Sequence, residues 1–168
     1  QISKNKRYGL NDNLKGKTVM IEFTDPNPFK LFHIGHLMSN TIGEAIARLY
    51  EVSGAKVIRA NYQGDVGLHI AMAVWGMQKG HDYLGPAYAF GAHAYGGDPH
   101  AKAEIEIINK KLYDHSDPEI NKLYTEGRQG SLNYFEALYR RLGTKFVHYF
   151  FESEMGPRGV EIVKKHPE

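Results

Sequence analysis

From Thr18 to Thr24, Val19, Ile21 and Phe23 alternate with Met20, Glu22 and Thr24. This period of two, in residues that favour extended backbone, predicts a first β-strand. Asp25-Pro26-Asn27-Pro28 ends it, because two prolines remove backbone donors and restrict the residues before them. From about Gly35 the rhythm changes: Met38, Ile42, Ala45, Leu49 and Val52 recur at helical spacing and share one face, and Gly54 marks the stop. A second strand is predicted over Lys56 to Tyr62. The turn Gly64-Asp65-Val66-Gly67 then caps, through Asp65, a helix running through Ala71, Met72 and Trp75. Strand, helix, strand, helix is the unit of a parallel sheet.

Beyond Gly80 the chain reads as a loop rich in Gly, Tyr and Ala. Asp98-Pro99 and Asp117-Pro118 each supply an N-cap followed by proline in the first turn, so two helices are predicted there. Gly127 and Gly130 weaken the second and predict a break before Leu132, with Gly143 as its close. Phe146 to Phe151 reads as a returning strand, and Met155-Gly156-Pro157 leads into a last short helix through Val160 and Val163. The expected organisation is a basic segment over 1–17, a βαβα part over 18–79, a helical insertion over 80–144, and a return strand and helix over 145–168. The fold class is α/β, a parallel sheet with a helical insertion. No internal repeat and no low-complexity tract is found.

Composition narrows this little. The 168 residues are 42 % hydrophobic and carry a net charge of +2, as expected of one globular domain. Absence of cysteine excludes disulfides, thiolate metal sites and a cysteine nucleophile, and fits a cytoplasmic protein. No apolar run is long enough for a membrane span, and the Lys-rich start lacks the apolar stretch of a signal peptide, so no membrane association is expected. Lys4, Lys6, Arg7, Lys15 and Lys17 read as a solvated basic loop. His69, His81, His93, His100, His115, His148 and His166 have neither thiolates nor a compact His-Glu-x-x-His helix beside them, so no metal site is expected. Trp75 and the aromatic residues of the insertion are read as core.

The chemistry concentrates between the first strand and its helix. Open parallel sheets bind ligands beyond the carboxyl ends of their strands, where a helix N-terminus offers unpaired N–H groups to an anion. His33 and His36, three residues apart in the first turn, can face one ligand, with Gly35 leaving room for close approach. Each ring can donate a hydrogen bond to charge building on an attacked phosphate, and Lys30 supplies a positive charge from the preceding loop. Taken alone the two histidines read as surface or capping residues; their neighbours reverse that. Glu22 read alone is a solvent-facing strand residue.

Those neighbours form Pro-Asn-x-x-Lys-x-x-His-x-Gly-His, running from Pro26 to His36 after the Glu22-Phe23 strand end. This resembles the first signature of class I aminoacyl-tRNA synthetases, and in detail that of the arginyl-tRNA synthetase family. Ala60-Asn61-Tyr62-Gln63-Gly64-Asp65-Val66-Gly67 resembles that family's second strand and turn, and Phe150-Phe151-Glu152-Ser153-Glu154 adds a third block. The resemblance spans Thr18 to Val163.

It implies a Rossmann-like nucleotidyl-transferase half-domain and an arginine-tRNA ligase: ATP activates L-arginine to the adenylate, and tRNA(Arg) accepts it. Magnesium would arrive with ATP rather than in a protein cage, and no tightly bound cofactor is implied. Lys30, His33, Gly35 and His36 would bind ATP, with Lys30, His33 and His36 acting on the transition state. Glu22, Asp25 and Asn27 would hold arginine. Asp25 stands where many members have serine, and Leu31 where proline or a charged residue is usual. The family's Lys-Met-Ser-Lys-Ser-like loop, further strands and anticodon-binding domain are not found, so the isolated chain is expected to be inactive and to self-associate. A small nucleotidyltransferase with a His-x-Gly-His turn, such as a pantetheine-phosphate or nicotinate-mononucleotide adenylyltransferase, and a non-catalytic nucleotide-binding module are the alternatives.

Overall fold

The computed structural model describes residues 8–166; Lys4, Lys6 and Arg7 of the basic segment lie outside them. The order is β1 (Thr18–Glu22), α1 (Ile34–Val52), β2 (Lys56–Gln63), α2 (Leu68–Gln78), α3 (Pro86–Gly97), α4 (Pro99–Asp114), α5 (Pro118–Leu142), β3 (His148–Phe151) and α6 (Glu152–Lys165). The three strands form one parallel sheet in the order β1-β2-β3, with Thr18 opposite Lys56 and Ala60 opposite His148. The class is therefore α/β, with helices α2 to α5 between β2 and β3. Arg59 and Asn61, alternate residues of β2, meet α1 and α5 respectively, so both helices cover the same sheet face.

Two apolar cores result. One joins Ile70, Val74, Trp75, Ile105, Leu112 and Ile120 of α2, α4 and α5, and also takes in Phe29 from the loop before α1. The other is aromatic: Phe23, Phe135, Tyr139 and Phe146. Its rings meet at close range, Phe146 lying 4.9 Å from both Phe23 and Tyr139 between centroids, edge-on to the latter. Helix α5 contributes to both cores and ties them together.

The caps at Asp98 and Asp117 form as expected. Asp98 accepts from the His100 amide at 2.8 Å, and Asp117 accepts from the amides of Glu119 and Ile120. Gly143 closes α5 in the left-handed conformation.

Four local expectations are corrected. The stretch after Gly80 is not all loop, because Pro86–Gly97 forms α3. A side chain at Gly91 would overlap the Met72 carbonyl, so the small residues that weaken the helix in isolation allow its close docking on α2. Helix α5 does not break: Gly127 and Gly130 face the rings of Phe29 and Tyr83, with no space for a Cβ at either. Asp65 does not cap α2, whose N-cap is Gly67 with no side-chain bond. Helix α6 starts at Glu152 rather than near Met155 and takes Pro157 within it.

Helix α1 forms where its period predicted, but its apolar stripe does not face the sheet. Its buried residues are Asn40, Gly43, Glu44 and Ala47. Glu44 accepts from Arg48 and Arg59, each at 2.8 Å, and Arg59 also reaches Glu51. Met38, Ile42 and Leu49 stay 62 %, 53 % and 64 % exposed, and Met20 on β1 is also exposed. A contiguous apolar stripe of this kind drives association. In light scattering, the chain is expected to grow in apparent mass with concentration. The double substitution Met38→Glu, Ile42→Glu should abolish that growth while changing unfolding free energy by no more than about 0.5 kcal/mol. A concentration-independent monomer before substitution would contradict this.

Candidate functional site

The last sheet bond of the first strand runs from the Phe23 amide to the Ala60 carbonyl at 3.2 Å. Thr24 and Asp25 then take left-handed backbone, with φ of 83° and 46°, and Phe29 does so again at 66°. Such non-glycine residues each cost of order 1–3 kcal/mol and persist only where their surroundings fix them. Here the surroundings are specific. The Thr24 amide donates to Ser39 Oγ at 3.0 Å, and Asn40 Nδ2 donates to Thr24 Oγ1 at 2.9 Å. Asp25 accepts from the Tyr62 amide at 3.0 Å, and Asn27 Oδ1 accepts from the Gly64 amide at 3.1 Å. Phe29, fully buried, donates its amide to Ser131 Oγ at 2.8 Å and accepts from the Gly85 amide at 3.1 Å.

Asp25 and Asn27 therefore stitch the loop to the carboxyl end of β2, where strand amides would otherwise lack partners. Burial raises the Asp25 carboxyl above its ordinary value, and the Tyr62 amide pulls the other way. Glu22 ends β1 in an exposed position, with no hydrogen bond of its side chain among the described residues.

The two histidines form a reciprocal cap. His33 is the N-cap of α1 and its Nδ1 accepts from the Gly35 amide at 3.1 Å, while His36 Nδ1 accepts from the His33 amide at 3.2 Å. With Nδ1 serving as acceptor in the cap on each ring, Nε2 of each is left as the donor it presents. The rings stack with centroids 3.8 Å apart. His33 is exposed and His36 half-buried. Gly35 serves this stack directly: a Cβ there would stand 3.0 Å from His33 Cε1, so the room it leaves is taken by the His33 ring. Burial first, and then the charges of His33 and Lys30, hold the His36 imidazole down to about 4, so it is neutral near pH 7. The Lys30 ammonium itself rests 4.5 Å over the Tyr88 ring.

Across the loop stands a set of acids that the sequence did not single out. Asp65 is 0 % exposed. It accepts from Arg128 Nε at 2.8 Å, Tyr124 Oη at 3.2 Å, and the Ser153 amide and hydroxyl at 2.9 and 2.8 Å. It binds the end of β2 to α5 and to the start of α6. Glu152, beside it in sequence to Ser153, brings Oε2 to within 3.1 Å of where a Gly64 Cβ would stand, and Asn27 Oδ1 is 2.8 Å from the same point. Burial, and after it the charges of Glu152, Asp65 and Glu22, raise the Tyr62 phenol. His69 Nε2 lies 3.0 Å from the Gly64 carbonyl, and burial lowers its imidazole.

The loop end of the sheet thus has two sides: imidazole donors and Lys30 at the start of α1, and carboxylates with Asn27 beside β2. The first side suits phosphate; the second suits an ammonium or guanidinium. Glu152 was missed because its proximity to Asn27 depends on β3 returning beside β2, a long-range pairing with no local signal, and Asp65 read as a cap because its partners Arg128 and Ser153 are distant in sequence. Among the described residues no group of three His, Asp or Glu can hold a metal ion, and no helix is long and apolar enough to cross a membrane. A cavity of 420 Å³ between α4 and α6, lined by Val66, Leu112, Tyr113, Ser153, Pro157 and Val160, adjoins Glu152 but contains neither histidine.

Comparison with known proteins gives a consistent picture. The family model for tRNA synthetases class I (R), catalytic domain, matches residues 1–90, more than half of the chain. An arginine-tRNA ligase of Treponema pallidum is 29 % identical, aligning with 98 % of this chain and 30 % of its own length. One from Borrelia hermsii is 30 % identical over 95 % of this chain and 30 % of its own. Among solved structures, the arginyl-tRNA synthetase of Thermus thermophilus superposes with a TM-score of 0.66 at 20 % identity, over 99 % of this chain and 30 % of that one. That of Plasmodium falciparum gives 0.65 at 22 % identity, over 95 % and 28 %. At those identities the structures attest the fold alone. The chain spans about 30 % of the length of the curated relatives it matches.

Two outcomes follow from the geometry. A folded-state value below the ordinary 6.5 means His36 contributes stability above pH 6.5 and loses it as pH falls toward about 4. Histidine-selective NMR should place the His36 midpoint near 4; a midpoint at 6 or above would contradict its packing. Asp65→Ala strands the buried ends of Arg128, Tyr124 and Ser153, and should cost about 3 kcal/mol or more in urea unfolding. A loss under about 1 kcal/mol would show that the hub is not structural.

Proposed function

The chain belongs to the family of class I (R) tRNA synthetase catalytic domains, and we propose that it carries the adenylate-forming face of an arginine-tRNA ligase acting in the cytoplasm. On this reading the carboxylate of arginine attacks the α-phosphorus of ATP. A bond forms from carboxylate oxygen to phosphorus, the bond to the bridging oxygen breaks, and pyrophosphate leaves. The terminal ribose hydroxyl of tRNA(Arg) then attacks the carbonyl of the adenylate and AMP departs.

The chain's residues take separable parts. The Nε2 protons of His33 and His36 donate to oxygens of the attacked phosphate, where charge accumulates. Lys30 adds positive charge from the loop. Gly35 permits the ring stack. Asn27 fixes the loop against β2 and stands at the reacting end of arginine, and Glu22, Asp25 and Glu152 supply negative charge for its ammonium and guanidinium groups. Magnesium enters on the ATP phosphates, consistent with a site whose donors suit the nucleotide better than a dedicated ion. The 80–144 region is the insertion within this catalytic unit, flanked by 18–79 and 145–168. Because the chain spans a fraction of its relatives, turnover is assigned to the full-length protein that carries it.

The observation that carries this reading is the pair of stacked imidazoles, both held as Nε2–H donors by one helix cap, one strand away from carboxylates suited to a cation. In the full-length protein with tRNA(Arg) bound, His33→Ala and His36→Ala are each expected to lower arginine-dependent pyrophosphate exchange by about 10²–10³-fold with the thermal transition retained. Exchange equal to the unsubstituted protein in both variants would remove the histidines from the reaction.

A further inference from the structure

We propose that Phe29 is the positioning residue of the site, a plug through which helices α3 and α5 set the place of Lys30 and the two histidines. The inference rests on the reading of the site given above and deepens it. Phe29 sits within the phosphate-facing loop, one residue before Lys30, yet its ring belongs to the core shared by α2, α4 and α5 and is fully buried there. It occupies the space of an absent side chain at Gly127 on α5 and stacks 6.4 Å from Tyr124 of the same helix. Its amide donates to Ser131 Oγ, which in turn donates to the Gly127 carbonyl at 2.7 Å. Its carbonyl accepts from Gly85 at the start of α3, and the next residue, Lys30, lies over Tyr88 of α3. The hydrogen bonds to this residue and its contacts with Gly127 and Tyr124 all come from 80–144 and none from the sheet.

The left-handed backbone at Phe29 gives the arrangement its consequence. A phenylalanine relaxes out of that conformation unless its ring and both backbone polar groups are held. Moving the plug therefore rotates the chain that follows, which carries Lys30 and, three residues further on, His33. Misplacement of reacting groups by about 1 Å can cost about a hundredfold in rate, so the fit between Phe29 and Gly127 is a point of control over the chemistry and not only over stability. Gly130 provides the contrast. It lies on the same helix and leaves a Cβ 2.6 Å from Tyr83, where Gly127 leaves one closer still to Phe29, but the Tyr83 side chain makes no hydrogen bond to the loop among the described residues.

The test is a set of variants in the full-length protein. Gly127→Ala displaces the plug; Gly130→Ala disturbs the insertion to a similar extent without touching the loop; Phe29→Leu with Gly127→Ala restores the lost space. Gly127→Ala is expected to lower kcat in arginine-dependent pyrophosphate exchange at least tenfold and raise KM for ATP. Gly130→Ala should lower the thermal midpoint comparably and leave both constants within twofold, and the double variant should recover most of the lost kcat. Equal kinetic losses in the two alanine variants, or no recovery in the double variant, would overturn the proposal. The His36 imidazole gives a second readout independent of turnover. Its NMR midpoint should rise from about 4 in Gly127→Ala as the displaced loop lessens the burial of His36 and withdraws His33 and Lys30, and return in the double variant. If the unsubstituted protein shows no exchange with tRNA(Arg) present, the arginine-activating reading fails while the His36 midpoint still decides the role of Phe29: a midpoint unmoved by Gly127→Ala would sink it.

Discussion

The loop between β1 and α1 is fastened at its two ends into different cores. Phe23 anchors one end among Phe135, Tyr139 and Phe146 under the sheet, and Phe29 anchors the other among the helices of the insertion. The five residues between must bridge the two, and they do so with left-handed backbone at Thr24 and Asp25. Burying an aromatic ring is worth about 1.5–3 kcal/mol, comparable to the strain such residues carry. The two burials hold the strained path, and the path fixes where Asn27, Lys30 and His33 stand. Without them the loop has no reason to keep its shape.

Electrostatics follow from that placement. The helix cap uses imidazoles where an ordinary cap uses a hydroxyl or carboxylate, so the groups that satisfy the first amides of α1 also keep an Nε2 donor apiece on their outer edge. Burial, and after it the neighbouring His33 and Lys30, keep His36 uncharged near pH 7, which suits a donor of fixed tautomer. On the other side of the loop, Asp65 collects partners from α5 and α6 and ties three separate stretches to one strand end. Its neighbour Glu152 gains its place beside Asn27 through the Ser153 contacts to Asp65. Acid and imidazole sides are thereby held in fixed relation by one hub and one plug.

Helix α1 shows a different constraint. Its polar face, with Glu44 bound to Arg48 and Arg59, lies inward, while its apolar stripe lies outward with Met20 of β1 exposed as well. Because α1 and α5 cover the same sheet face, apolar surface on the remaining side of this unit is left to whatever packs on it. The stripe gave a true reading of helix and a false hint of which face meets the sheet.

The sequence by itself determined what depends on neighbours along the chain. Alternation at Val19, Ile21 and Phe23, the period of α1, and the Asp-Pro starts of α4 and α5 are local facts, and each produced its element. So did the spacing of His33 and His36, since residues three apart at a helix start lie on the same side. Tertiary structure decided what depends on distant partners. Gly127 and Gly130 read as helix weakeners because a lone helix has nothing to fill the missing Cβ, whereas here Phe29 and Tyr83 do. Asp65 read as a cap because Arg128 and Ser153 are 63 and 88 residues away. Close approach and buried charge are properties of pairs, and only the folded chain chooses the pairs.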